Sequence, residues 1–452
     1  MNVHSHPAAP RVSRLAGCLA IAPGVGAASA ASPIPGHATS NPRGPVTRQV
    51  FSCDDASLRQ AITSAMDGDT VAMPAGCSLI TLDSGEIPIL VDKLQLVGPG
   101  ADAFTIDGGQ TSGFYNRVFR HHGTGTLSIS GMTISGASTN NSLDPNGGCI
   151  DSDGTVALDH AVVKNCYMQA DTGLNAQGGA IYAKLGVELH SSTVSENAAN
   201  AVLGFTSGGG IFSNGYFLAE SSTVSDNFAE GSGFGGGVYA VNGDVEIKSS
   251  TVSGNKALNG AGVFVGYKGT TALADIQNST ISGNDASGDA GGAEFRVPAT
   301  ISNSTIVSNT SGNNSAGAGV YATTTLSATS SIFAGNRLPG GEPATDVYTL
   351  IGELDGTSNI IVSTPNMPPA LTITNCPRLG PLAGNGGPTL THEPMPGSPA
   401  INAGADPLTL QFDQRGSGYV RASGGAPDIG SVEWQGAPQD GIFTSRFELV
   451  CD

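Results

Sequence analysis

Two carboxylates, Glu196 and Asp226, hold the same place in successive copies of one phrase, SENAAN and SDNFAE. Adjacent turns of a stacked chain would set such a pair within the roughly 5–9.5 Å that acid–base cleavage of a glycosidic bond requires. The next copies hold Gly254 and Gly283, and no helper acid or base accompanies them. Glu294 and Arg296 lie two residues apart in GGAEFRV and so share one strand face. By phrase alignment Glu294 takes the place of Ile181, Ile211, Val238, Val263 and Val320, and a structural ion pair with Arg296 is expected before an acid–base role. Elimination chemistry would need a Lys or Arg base, and Lys164, Lys184, Lys248, Lys256, Lys268 and Arg296 are scattered over different positions of the repeat. A third set is aromatic: Tyr182, Phe212, Tyr239, Phe264, Phe295 and Tyr321 each follow the aliphatic position. Facing outward, they would bind sugar rings or a partner protein; facing inward, they are core. The charged pair at Glu294 and Arg296 argues for the inward case.

A repeat must position these residues. SSTVSENAAN begins at Ser191, SSTVSDNFAE at Ser221 and SSTVSGNKAL at Ser249, with looser copies at Asn278, Asn303 and Ser330. The closing Asn falls at 165, 197, 227, 255, 284, 309 and 336, in steps of 32, 30, 28, 29, 25 and 27 residues. Thr, Val, Ile, Ser and Gly dominate, which favours strands and tight corners over helix pairs. In each TVS the apolar residue (Val194, Val224, Val252, Ile281, Ile306) faces opposite to its Thr. A coil of this length with two or three short strands is one turn of a parallel β-helix, and parallel crossovers favour the right hand. The expected fold is all-β: a single right-handed solenoid with an N-terminal capping helix and a turn-rich C-terminal cap. Leu58, Ala61, Ile62 and Ala65 have helical spacing, with Asp54 or Asp55 as N-cap, and would close the first coil.

Charged residues make up 12% of the 452 residues, and the net charge is −18. No basic stripe exists, which excludes nucleic acid as the expected partner. Arg11 and Arg14 precede a weakly apolar stretch ending in small residues at Ala30, the form of an export signal. Cys18 sits in a lipobox-like LAGC, but the apolar stretch follows it, which disfavours lipidation. No span is long enough for a transmembrane helix. Six cysteines remain after Cys18; sequence leaves fifteen pairings open, and proximity along a solenoid favours Cys53–Cys77, Cys149–Cys166 and Cys376–Cys451. No zinc-like cysteine spacing occurs. The chain divides into a signal peptide (1–30), a linker (31–49), the β-helix (50–370), a C-terminal module (371–436) and a tail (437–452).

The module reads as a turn-rich cap over the last coil, with Leu382, Leu390, Ala400, Ile401, Ile429 and Val432 as its core. Arg415 could pair with Asp413, Asp428 or Glu433, a salt-bridged turn before a calcium site, and His392 is expected to be a hydrogen-bonded structural residue. Its phrases NGGPT (Asn385–Thr389), GSPAINAG (Gly397–Gly404), DQRG (Asp413–Gly416) and DIGSVE (Asp428–Glu433) resemble the choice-of-anchor Q domain that ends many secreted bacterial right-handed β-helix proteins. The repeat phrases are similar to those of chlamydial polymorphic outer membrane proteins, which are surface adhesins. SLRQAI at Ser57–Ile62 resembles an N-terminal motif of related proteins, and IFTSRFE near the end resembles a sorting tail in which Arg446 replaces the usual Gly. These families supply no catalytic residue to carry over. The GHG and RIK phrases of polygalacturonase-like hydrolases are absent. The resulting expectation is a monomeric, secreted or cell-surface protein without metal or cofactor, with an adhesive, binding or scaffolding role toward a glycan or surface protein. A polysaccharide lyase or glycoside hydrolase is the alternative.

Overall fold

The computed structural model describes residues 43–109, 116–140, 144–266, 272–313 and 316–436. The export-signal region, Cys18, Lys268, Cys451 and the 437–452 tail lie outside them.

Successive repeats stack as a parallel β-solenoid of about ten coils. Three sheets run its length: sheet A with 12 strands, sheet B with 11 and sheet C with 10. In one coil the chain passes from sheet C (Ile181–Ala183) to sheet A (Gly186–His190) and then to sheet B (Thr193–Ser195). Shorter strands follow in sheet D (Ala198–Ala201) and sheet E (Thr206–Ser207) before sheet C resumes at Ile211. Every strand pairs in parallel with its counterpart one repeat away, as in Val194↔Val224↔Val252↔Ile281↔Ile306 on sheet B. Those five side chains lie in one continuous buried core with Ile181, Ile211, Val238 and Val263 from sheet C. Regular structure begins within the sequence segment read as linker, where Thr47–Gln49 pairs with Thr70–Ala72.

The corners explain the small polar residues. Ser191, Ser221, Ser249, Asn278, Asn303 and Ser330 all adopt positive φ (46–52°) between sheets A and B. Two buried polar ladders run beside them. In one, Ser192 N–H donates to Ser222 Oγ, Ser222 to Ser250, Ser250 to Ser279, Ser279 to Ser304 and Ser304 to Ser331, all at 3.0–3.2 Å. In the other, the Nδ2 of Asn197 donates to Asn227 Oδ1, and so on through Asn255, Asn284, Asn309 and Asn336, at 2.9–3.0 Å. Each Asn also satisfies a backbone carbonyl of the coil behind it, such as Val194 O from Asn227 at 3.0 Å. The stacked column thus contains the closing asparagines, with one correction. Cys166, not Asn165, pairs in register with Asn197, because Tyr167 aligns with Ala198. Asn165 occupies the positive-φ corner (54°) one residue earlier.

The capping helix spans Asp55–Thr63, with Asp54 accepting from Ser57 N–H at 2.7 Å. Leu58, Ala61 and Ile62 enter the same core as the first strands, which closes the open end of the solenoid. Disulfides Cys53–Cys77 and Cys149–Cys166 are formed, each with Cα atoms 5.6 Å apart. Cys376 is also bonded within a disulfide, and its expected partner Cys451 lies beyond the described residues.

Residues 379–433 do more than close the last coil: they fold back along sheet B. Gln414 Nε2 donates to Ser250 O at 3.1 Å and Thr251 Oγ1 at 2.9 Å, and its Oε1 accepts from Thr280 at 2.6 Å. Ser431 N–H donates to Thr305 Oγ1 at 3.0 Å, and His392 Nε2 meets Ser282 Oγ at 2.8 Å. These contacts bury Thr251, Thr280 and Thr305, whereas Thr193 and Thr223 stay partly exposed. Ala400, Ile429 and Val432 are buried as expected; Leu390 is 42% exposed, and its carbonyl accepts from Thr251. Leu382 and Ile401 are only half-buried. Arg415 takes Asp413 as its partner at 2.6 Å and stacks 4.0 Å over Tyr419. Its Nη2 also donates to Glu433 O at 2.6 Å and its Nη1 to Asn385 O at 3.5 Å, so three of the four phrases meet in one hydrogen-bonded knot.

Candidate functional groove

Sheet C carries one outward column: Arg120, Asp151, Tyr182, Phe212, Tyr239, Phe264, Glu294, Tyr321 and Tyr348, aligned rung by rung. The aliphatic neighbours point inward, so the aromatics face out, contrary to the inward expectation. Four of them stack: Tyr182–Phe212 at 5.3 Å, Phe212–Tyr239 at 5.1 Å and Tyr239–Phe264 at 5.1 Å, with interplanar angles of 14°, 9° and 5°. Tyr321 and Tyr348 form a second stack at 5.8 Å.

Between the two stacks stands Glu294. Its phrase contains one residue fewer before it: Ala290 (φ 54°) takes the positive-φ corner held by Gly178, Gly208, Gly235 and Gly260 in the preceding coils. Ala293 therefore aligns with Val263 and Val320, and Glu294 with Phe264 and Tyr321. Phe295, expected in the aromatic column, is fully buried core instead. Glu294 accepts from Arg296 Nε at 2.9 Å, and the Arg296 guanidinium lies 4.8 Å over Phe264. Burial pushes the Glu294 carboxyl above its ordinary value, against the pull of Arg296.

The longer repeats around the first stack spend their extra residues on sheet E (Ala176–Gln177, Thr206–Ser207, Gly233–Phe234). This sheet makes a wall. Phe205 and Phe234 lie on it 6.2 Å apart, and Phe234 meets Phe264 edge-on at 5.2 Å. Floor and wall enclose a groove of about 560 Å³. Asn175, Gln177, Ser207 and Asn214 supply its amides and hydroxyl, and Arg296 stands at one end. Because the floor rings cover one another's faces, they offer the groove their rims, the electropositive part of an aromatic ring.

One rung beyond Tyr182, at the other end, is a charged cluster, none of whose members is among the candidates named from the sequence. Asp151 is 1% exposed, 3.3 Å from Arg120 Nε and 3.6 Å from Arg117 Nη1. Asp144 approaches the same two nitrogens at 3.7 and 3.9 Å. Burial pushes the Asp151 carboxyl up to about 7 despite both guanidinium groups, with Asp144 adding to the rise. The signal was present in the sequence: counting back one repeat from Tyr182 reaches Asp151.

Glu196 and Asp226 are not in the groove. They occupy the corner after sheet B with φ of 57° and 56°, equivalent to Gly254 and Gly283. Both are exposed, and neither carboxylate has an ion-pair partner among the described residues. Asp151 and Glu294 lie five rungs apart, about 24 Å at the spacing of neighbouring strands, too far to work as a pair. Among the described residues, no His, Cys, Asp and Glu cluster is arranged to hold a metal, and no helix is long and apolar enough to cross a membrane.

No family model matches the chain, and no curated protein matches it. Among solved structures, a crystal structure of pectate lyase Pel9A superposes with a TM-score of 0.42 and 10% identity, over 88% of this chain and 97% of that one.

Proposed function

We propose that this is a secreted or cell-surface, non-catalytic glycan-binding solenoid, and that the groove along sheet C takes an extended carbohydrate chain. The aromatic-floored, amide-lined groove carries this reading. Its stacked rings span about 15 Å in a rigid row, and the polar lining is amide and hydroxyl, suited to hydroxyl-rich ligands. A peptide adding as a β-strand is disfavoured, because the backbone along the flank is already paired coil to coil. Two disulfides fit an oxidising compartment. Residues 371–436 are read as a choice-of-anchor Q-like module holding the solenoid at a surface, which suits an adhesive or scaffolding role.

The test is a glycan array with the full chain, followed by titration of any hit against Gln177→Ala and Asn214→Ala. These side chains line the groove without belonging to the aromatic stack. At least a tenfold weakening is expected, with an unchanged circular dichroism spectrum; unchanged affinity would remove the groove from consideration. A second reading, glycan cleavage, is favoured by one observation: Asp151 and Asp144 converge on Arg117 and Arg120 one rung from Tyr182. A reducing-end assay on the same glycans decides it, since turnover lost in Asp151→Asn would replace the non-catalytic reading.

A further inference from the structure

Among the described residues lining the groove, Arg296 is the only charged one, in a chain of net charge −18. Its Nε is held by Glu294 at 2.9 Å, and its plane rests 4.8 Å over Phe264. These contacts use one of the five guanidinium N–H donors and fix its orientation. The two Nη groups remain, and they form the fork that matches a carboxylate or sulfate. The side chain of Arg296 is 46% exposed, that of Glu294 only 2%. Glu294 Oε2 is buried with no hydrogen-bond partner. A buried carboxylate satisfied on one oxygen is costly, and its visible effect here is to hold Arg296 at the groove's end. The ring rims of the floor and the amides of Asn175, Gln177 and Asn214 add donors and positive edges, and no carboxylate lines the groove.

We propose that Arg296 is the anchoring subsite for an acidic substituent, a carboxylate or a sulfate, of the glycan in this groove, so that the protein selects acidic over neutral chains. This rests on the glycan-groove reading above. A neutral ligand would offer the fork hydroxyl oxygens but no charge-assisted bidentate match, and a cationic one would be repelled. Glu294 is a positioning residue in this scheme: it binds no ligand and sets the direction of the fork.

The experiment is calorimetric titration of the full chain with three probes: hexagalacturonate, its methyl ester, and a chondroitin sulfate hexasaccharide. At least one acidic probe is expected to bind ten times more tightly than the ester. Arg296→Gln should bring the acidic probe down to the ester's affinity and leave the ester unchanged, and Arg296→Lys should keep part of the preference. Because Arg296→Gln strands Glu294, the double variant Glu294→Gln/Arg296→Gln is measured beside it, with the same expected loss of preference. Which acidic probe wins distinguishes carboxylate from sulfate. Equal affinity for acid and ester in the native chain overturns the proposal, as does a preference that survives in the double variant. Binding of neutral glycans alone, lost in Gln177→Ala, overturns the subsite and leaves the groove reading standing. No binding by any probe or array glycan overturns both.

Discussion

Replacing Asn255 by Ala removes one rung of the buried asparagine ladder, and the cost follows from its four hydrogen bonds. Asn255 Oδ1 accepts from Asn227 N at 3.0 Å and Asn227 Nδ2 at 2.9 Å, while its Nδ2 donates to Val224 O at 3.0 Å and Asn284 Oδ1 at 2.9 Å. Asn227 Nδ2 keeps Val194 O, and Asn284 Oδ1 keeps Asn255 N–H at 3.0 Å. The Asn227 backbone N–H keeps nothing. An orphaned buried donor costs about 1–3 kcal/mol, and the remaining lost bonds about 1–2 kcal/mol more, for a total of about 2–5 kcal/mol. Asn255→Asp should be worse near neutral pH, because a carboxylate oxygen replaces Nδ2 and faces Val224 O and Asn284 Oδ1. The assay is urea unfolding followed by circular dichroism, with amide exchange at Asn227 as the local readout. Exchange at Asn227 should accelerate more than in coils two repeats away, since a solenoid couples nearest neighbours. A loss below about 0.5 kcal/mol, or an Asp variant as stable as the native chain, would refute the claim that the ladder holds the corners.

Stability should fall between pH 5 and pH 8, because three raised carboxylates outweigh two lowered histidines. Burial pushes Asp151 and Glu433 up to about 7 and Asp346 up to about 6, so the contribution of each is full below its ordinary value, declines as pH climbs above that value, and is gone once pH passes its folded value of 6–7. Burial lowers His121 and His392, whose contribution is present above pH 6.5 and is lost as pH falls below it. Melting temperatures at pH 4.5, 6 and 8 check this, and a steady rise from 4.5 to 8 would contradict it. Gln414→Ala should release residues 379–433 from sheet B at a cost of about 2–4 kcal/mol, because its amide joins Ser250 O, Thr251, Thr280 and Thr389. Limited proteolysis should then cut within that segment first; a cleavage pattern unchanged from the native chain would count against the docking role.

The solenoid was legible because its period repeats, and the register was legible only where every coil has the same loop. Counting phrases placed Asn165 in the ladder and Phe295 in the aromatic column, both one residue off. In each case the backbone compensates at a positive-φ corner, Asn165 in one coil and Ala290 in the other, where a phrase alignment looks for Gly or expects none. The outward aromatics were misread for the same reason. With Glu294 wrongly aligned to Val263, charge fell on the inward position and pushed the aromatics into the core. The fold-back of residues 379–433 left no trace in periodicity. Thr280 meets Gln414 across 134 residues, and nothing in either phrase names the other. Asp151 stands in GGCID where the next coil has Tyr182, and a pattern of repeated aromatics or paired carboxylates does not name it, although its rung belongs to the same column.

The ends of the asparagine ladder show why its exceptions are not free to vary. At the last rung Asp346 Oδ1 accepts from Asn336 N and Nδ2 at 3.1 and 2.7 Å, and its Oδ2 accepts from Ser363 N–H at 2.9 Å. An Asn in that place would turn an amide N–H toward the Ser363 donor, so an acceptor on both sides dictates Asp. At the first rung Cys166 needs only its backbone N–H, which donates to Asn197 Oδ1 at 2.9 Å, and its side chain is free to form the bridge to Cys149. Residues that repeat are thus spent on one another: Asn on Asn, Ser on Ser, ring on ring. Atoms remain for a ligand only where the repeat is broken. The added sheet E raises a wall beside four rings, and the Glu294 rung ends their stack and turns the Arg296 fork toward solvent, which is why the groove lies there and not at the regular coils carrying Glu196 and Asp226.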